Sequence, residues 1–460
     1  MKPDRMPLDP LSEMLAVSAY GNTKNVLATG VELKGHFDEE GVIEGFAQTA
    51  ANYFPFQSVL KEAKEGGRYR LYWEKRPDIP YTVRRMTLPE TDGDKPPLER
   101  FLEHTRQNID RDWDLFNEPP VELHVARVSD DHLIAAPIIH HSACDGAIAS
   151  EYGLYSFLRY CELMTGRVPD HDCFSLAIST AGKRRIRVNR KKLKNIKTST
   201  RLAMLPFNPV KKLPKGSGDP NDDVEHNVKR ILSLEDTEKI KDATRRSGVS
   251  LIDTLIVGAD LAIDEWNAGR GIAPGTLTNS TTINMHGRYP EITSLNSSAV
   301  VCFKSRPEQR KDPQSFAKLI ARDRMRIFRG QGDLMFFENV DRMNRTLGRL
   351  PFRRRKPLMN WFMQRQQLSM AVTLMGAIWP GTRNCKPSLD TCLPEVCGAD
   401  VIELHGLGYK LLSRTHLLLI VYFFHSRLNL LLAAAGSHFT YDETNAFVDL
   451  VAEKVTSAYE

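Results

Sequence analysis

Two adjacent histidines, His140 and His141, stand ahead of an Asp145-Gly146 pair in the pattern HH-x-x-x-DG. This is the stretch of the chain best equipped for chemistry. A neutral imidazole takes a proton from a hydroxyl or amine as that group attacks a thioester carbonyl, and its pKa lies near working pH. An aspartate four residues on can fold back under the loop and brace it, and the glycine lets the backbone turn sharply. Two other readings stand beside acyl transfer. The pair could be hydrogen-bonded structure at a strand end, or two metal ligands, although no nearby run supplies a third and fourth ligand at workable spacing. Cys144 sits at one of the pattern's variable positions, which argues against a nucleophile.

The surrounding elements fit a loop held between a strand and a helix. Residues 121–128 and 132–139 read as two strands joined by Ser129-Asp130-Asp131, a hairpin feeding the histidines. After Gly146 the chain reads as helix through Leu154, Leu158 and Cys161, stopping near Gly166. Upstream, residues 25–34 read as a strand. Asp38 is placed as a helix N-cap with Glu39 and Glu40 in the first turn. Val42, Phe46, Ala50 and Tyr53 give that helix one apolar face. Phe54-Pro55-Phe56 ends it, and Tyr69–Trp73 reads as the next strand.

The second half repeats this grammar. A strand at His226–Leu232 leads to a helix over Thr237–Arg246, closed by Gly248, and Ser250 caps a further helix bearing Leu251, Leu255, Ile256, Ala259 and Ile263. A strand with Thr281-Thr282-Ile283-Asn284 runs to Gly287-Arg288-Tyr289-Pro290 and then to a strand at Asn296–Phe303. The most apolar segment, Leu417 to Ala435, is broken by His425-Ser426-Arg427. That break predicts two buried strands and a tight turn, not a membrane span.

The motif, the order of elements and the phrase ATRRSGVSLIDTLIVGADLAI together resemble the chloramphenicol acetyltransferase-like superfamily over almost the whole chain. Its members include condensation domains of nonribosomal peptide synthetases, wax ester synthase/diacylglycerol acyltransferases, plant BAHD acyltransferases and polyketide-associated acyltransferases. The resemblance implies an α/β (α+β) fold of two such subdomains in a V with a tunnel between them. It implies that His141 is the general base, that His140 shapes the site, and that Asp145 is structural and pairs with a later arginine, for which Arg288 is the candidate. Where the family often has Ser/Thr-Asn-x-Gly, this chain has Thr373-Leu374-Met375-Gly376, so Thr373 is the candidate oxyanion donor despite the missing asparagine. The DFGWG motif of the plant branch is absent.

Length and charge set the remaining bounds. With 460 residues, 41% hydrophobic and 26% charged, the chain reads as a globular protein of two domains. Residues 1–185 form the first subdomain with HHxxxDG, 186–225 a basic linker and 226–460 the second. Seven cysteines without a CxxC pair read as reduced thiols, and the polar N-terminus carries no secretion signal, so the expected location is cytoplasmic. Net charge is +6, and nine of the fifteen residues Lys183–Lys197 are basic; a second run is Arg353-Arg354-Arg355-Lys356. Either run is a solvated linker, or a surface for an anionic carrier, for coenzyme A phosphates or for the inner face of an anionic membrane. Nucleic acid is not expected, since interleaved aromatics are missing. The expected protein is a monomer without bound cofactor or metal. It moves an acyl group from acyl-CoA or an acyl carrier protein with a phosphopantetheinyl arm to a small alcohol or amine. The alternatives are a long-chain wax ester or diacylglycerol acyltransferase at a membrane surface, and an inactive condensation-like recruitment domain.

Overall fold

The computed structural model describes residues 4–19, 25–89, 96–109, 111–166, 213–222, 224–285, 288–289, 294–363, 368–377, 395–407 and 415–457. The run Lys183–Lys197 and Gly287 lie outside the described residues.

The first half contains β1 (Arg5–Pro7), α1 (Pro10–Ser18), β2 (Val26–Gly35), α2 (Glu39–Ala50), β3 (Ser58–Glu65), β4 (Arg68–Lys75), β5 (Thr82–Thr87), α3 (Pro97–Ile109), β6 (Val121–Ser129), β7 (His132–His140) and α4 (Gly146–Thr165). Asp38 caps α2 by accepting from Gly41 N, and Val42, Phe46, Ala50 and Tyr53 are buried, so the amphipathic face predicted for this helix is the one that packs. It packs on α4 at Gly45, where an added Cβ would stand 2.6 Å from the Ser156 carbonyl oxygen. Only glycine allows this approach, which seats the helix that follows the histidine loop. Gly166 ends α4 with φ 67.

In the second half come β8 (Glu225–Ile231), α5 (Leu234–Ser247), α6 (Leu251–Ala268), β9 (Leu277–Asn284), β10 (Ser298–Ser305), α7 (Pro307–Arg310), α8 (Pro313–Arg329), α9 (Gly332–Leu347), α10 (Phe352–Met363), β11 (Met370–Ala377), β12 (Glu395–Val396), β13 (Ala399–Leu407), β14 (Leu417–Phe424), β15 (Arg427–Ala435) and α11 (Tyr441–Ser457). Helix α5 starts three residues before Thr237, because Ser233 accepts from Asp236 N and serves as the cap. Strand β10 starts at Ser298, which leaves Asn296 and Ser297 in the preceding turn. The predicted hairpin over Leu417–Ala435 is β14–β15. His425 and Ser426 both have left-handed φ (48 and 61), the geometry of a type I′ turn. No helix among the described residues is long and apolar enough to cross a membrane.

Two six-stranded sheets form, one in the order β10-β9-β11-β14-β15-β8 and the other β12-β13-β2-β7-β6-β5, beside a small sheet β1-β4-β3. The second of these mixes the halves. β12 and β13 come from beyond residue 394, yet β13 pairs antiparallel with β2 from Ala399 opposite Gly35 to Leu407 opposite Ala28. Helix α10 also reaches across. Its Arg355 is buried and bonds the Leu350 and Tyr69 carbonyls and the carboxylates of Glu13 (2.7 Å) and Glu62 (3.1 Å). Arg353 and Arg354 beside it are exposed, so this basic run is only in part a solvated surface.

Candidate active site

Strand β7 delivers the histidines at its end, and the backbone beyond it is tied down residue by residue. His140 N donates to the Pro120 carbonyl (2.8 Å), His141 N to the Asn25 carbonyl (2.7 Å) and Ala143 N to the His140 carbonyl (2.9 Å). The loop therefore has little freedom to move the rings it carries.

The two imidazoles are held in opposite tautomers. His140 is buried, and its Nδ1 accepts from Ser142 N (3.2 Å) and lies 2.7 Å from Ser142 Oγ, so its proton sits on Nε2. Burial, aided by positive charge at His141, Lys356 and Arg111, pushes its pKa down to about 3. His140 is thus a permanently neutral donor. His141 is half-buried, and its Nδ1 lies 2.9 Å from the Cys144 carbonyl oxygen. A carbonyl only accepts, so Nδ1 holds the proton and the basic lone pair is on Nε2. Burial lowers the His141 pKa below the ordinary imidazole value, against the opposing pull of its backbone contacts and of the Asp145 charge.

Asp145 caps α4 through Oδ1, which accepts from Ile148 N (3.2 Å). Its Oδ2 accepts from Ser297 N (2.9 Å) and Ser298 Oγ (3.0 Å) in the second half. The same segment takes the Asp145 N–H on the Leu295 carbonyl (3.0 Å) and donates from Asn296 Nδ2 to the His141 carbonyl (2.5 Å). Residues 295–298 form a clamp on the loop that the sequence reading missed. The polar run Ser294, Asn296, Ser297 and Ser298 at the entry to an apolar strand was the available signal, and the predicted strand Asn296–Phe303 takes in the last three of them.

Arg288 is a correction. Its Nε lies 2.9 Å from Asp333 Oδ2 on α9, Tyr289 donates to the other Asp333 oxygen (3.0 Å), and the guanidinium lies 3.9 Å over the Phe328 ring. Asp145 accepts here from an amide and a hydroxyl of the second half, bonds that favour its charged form. Gly146 is a second correction. It is the first residue of α4 and its φ is not left-handed, so no sharp turn depends on it. An added Cβ there would only touch Met375 Cε at 3.5 Å, which places the β11 bulge next to the motif. Thr373 lies half-buried two residues before Met375, paired with Ile420 of β14. Cys144 is fully buried and burial raises its thiol well above the ordinary value, a poor nucleophile. Among the described residues no cluster of three His, Cys, Asp or Glu side chains could hold a metal ion.

Asp145→Asn tests the clamp. Keeping the oxygen toward Ser297 and Ser298 sets an NH₂ against the Ile148 N–H, donor against donor. The expected result is a lower melting temperature and a rate reduced by up to about 10²-fold through misplacement of His141. Arg288→Ala is expected to leave the rate far less changed, and an equal loss in both variants would contradict the geometry.

No family model and no curated protein matches this chain. Solved structures do. The first condensation domain of the CDA synthetase matches at 14% identity and a TM-score of 0.67, covering 99% of this chain and 97% of that one. The chain has the chloramphenicol acetyltransferase-like fold of condensation domains. The starter condensation domain of rhizomide synthetase, solved in complex with C8-CoA and Leu-SNAC, shares it at 12% identity and a TM-score of 0.64, over 99% of this chain and 95% of that one. So does polyketide synthase associated protein 5 from Mycobacterium tuberculosis, at 13% identity, a TM-score of 0.60 and 99% coverage of both chains. Within this condensation-domain fold the histidine loop lies where β7 hands over to α4, clamped by the turn before β10.

Proposed function

We propose that the chain is an acyltransferase that moves an acyl group from a thioester, acyl-CoA or an acyl carrier protein, to a hydroxyl or amine. The observation that carries this reading is the Nδ1–H bond of His141 to Cys144, which fixes the tautomer with the lone pair on Nε2. That nitrogen takes the acceptor's proton as the acceptor attacks the thioester carbonyl. When the tetrahedral intermediate collapses, the C–S bond breaks and the same proton passes from Nε2 to the leaving thiolate. The proton balance closes on one residue, and neither a covalent enzyme intermediate nor a redox partner is involved. His140 shapes the loop, Asp145 holds it to residues 297 and 298, and Thr373 on β11 is offered as a donor to the oxyanion. The donor and acceptor enter a tunnel between the two halves from opposite faces.

The test is release of free thiol from acyl-CoAs of increasing length, and from an acylated carrier protein, in the presence of pooled alcohols and amines. Acceptor-dependent release that His141→Ala abolishes is the expected result, and equal release by wild type and variant would overturn the reading. The pH profile adds a signed prediction. The base must be neutral, so the rate rises with pH through the His141 pKa and is flat above it. Because burial lowers that pKa, the rising limb of kcat/KM is expected below the ordinary imidazole value of about 6.5. A limb centred above that value would contradict the buried, Nε2-basic assignment.

A further inference from the structure

Two of the four described cysteines come together from opposite halves of the chain. Cys161 lies on α4 and is buried, and Cys397 stands in the turn between β12 and β13, half-buried. The sulfur of Cys161 is contacted by both the thiol and the backbone amide of Cys397. Helix α4 lies against β12, the strand before Cys397, and Cys397 packs on the apolar cluster that contains Cys161.

The turn presents its thiol with little freedom. Val396 pairs with Ala399, so Cys397 and Gly398 are the two central residues of a tight hairpin, with φ of 51 and 90. A two-residue turn with both φ positive favours asparagine, aspartate or glycine at its first central position. Cysteine at that position is strained, and strain of this kind gathers where a side chain has a use. The turn is fastened to the end of β2. The Gly398 carbonyl accepts from His36 N (3.1 Å), and an added Cβ on Gly35 would stand 2.7 Å from that same oxygen.

The two sulfurs differ in reactivity. Burial, with the Cys397 sulfur beside it, pushes the Cys161 thiol up to about 12. It therefore stays protonated near neutral pH and is inert to an oxidant in solution. Cys397 is half-buried and open to a small oxidant. An accessible thiol beside an enclosed one is the arrangement in which the first is oxidised and the second resolves it.

We propose that Cys161 and Cys397 form a reversible, peroxide-driven disulfide that cross-links α4 to the β12–β13 hairpin. The Cys397 sulfur attacks one oxygen of hydrogen peroxide. The O–O bond breaks, leaving a sulfenic acid on Cys397 and releasing water. The Cys161 sulfur then attacks the Cys397 sulfur, the S–O bond breaks, and the hydroxyl departs as water with the Cys161 proton. The peroxide takes up the electron pair that the two thiols give up. A dithiol reductant reverses the link by thiol–disulfide exchange. The bond fastens the helix that follows the histidine loop to the hairpin that seals the edge of β2. It stands apart from the acyl-transfer reading and needs no turnover.

The experiment treats the full chain with hydrogen peroxide, unfolds it in iodoacetamide and maps its peptides without reduction. The expected result is loss of alkylation at Cys161 and Cys397 together, and one peptide pair joined through them that dithiothreitol separates. In Cys161→Ala, Cys397 is expected to stop at the sulfenic acid, which dimedone captures. Cys397→Ser alters only the half-buried partner and keeps the experiment readable should Cys161→Ala fold poorly; it is expected to leave Cys161 fully alkylated after peroxide. Joining of Cys397 to Cys385 or Cys392 in place of Cys161 overturns the proposal. So does dimedone capture of Cys397 in the wild type as complete as in Cys161→Ala, oxidation of Cys161 in Cys397→Ser, or recovery of both thiols unmodified.

Discussion

Replacing His141 with alanine is expected to lower kcat/KM by roughly 10²–10⁴-fold, the usual contribution of a positioned general base. Folding should be nearly unchanged. The side chain is half-buried and its Nδ1 bond returns to Cys144 in its own loop, while the backbone ties to Asn25 and Asn296 do not involve the ring. His140→Ala makes the useful contrast. Its ring is buried and accepts from Ser142 N, so its removal strands that amide and opens a cavity beside Trp113. A clear fall in melting temperature with a smaller loss of rate is expected for His140→Ala, and the reverse for His141→Ala. Exchange of the two phenotypes would show that the base has been placed on the wrong histidine.

The largest expected effect on stability belongs to Arg355 of α10. Its guanidinium bridges α10 to Glu13 of α1 and Glu62 of β3 and also satisfies two carbonyls. A methionine would fill the space and make none of these bonds, leaving two half-enclosed carboxylates without their cation. Breaking a buried ion pair on one side typically costs about 3–5 kcal/mol, and Arg355→Met is expected to lose that much in urea unfolding. Arg353 and Arg354 are exposed, and each is expected to change stability by no more than about 0.5 kcal/mol on replacement by serine. A uniform response along the three arginines would mean that Arg355 does not hold the halves together.

The parts of this molecule that were legible in the sequence are those set by neighbours in the chain. Asp38, Ser250, Gly166 and Gly248 mark helix ends because a cap needs only a side chain or a left-handed φ within a few residues. The apolar runs of β6, β7, β14 and β15 predicted strands because these segments are buried almost throughout. The histidine loop was visible for the same reason, since its chemistry is packed into seven consecutive residues. What the sequence did not show crosses the chain. Ser297 and Ser298 reach Asp145 from 152 and 153 residues away, and nothing in their spacing announces a clamp. Arg288 was matched to Asp145 from the order of elements, whereas α9 supplies its carboxylate partner, Asp333. Strand β3 was overlooked because Ser58–Glu65 turns polar after Leu60 and follows Phe54-Pro55-Phe56 directly.

The pairing of β13 with β2 has a consequence for how the protein is made. On a ribosome adding about 5–20 residues per second, β13 emerges roughly 20–75 s after β2. Until then β2 has β7 on one side and an open row of amides and carbonyls on the other, a template for wrong partners. Asn25, whose carbonyl holds His141, stands at the start of that same strand. The nascent N-terminal half therefore carries every residue of the histidine motif, while the edge beside its anchor stays unsealed until β13 has been made. A truncated message should yield chains that bind holding chaperones or aggregate, and two separately expressed halves should recover the fold only when they meet before that edge finds another strand.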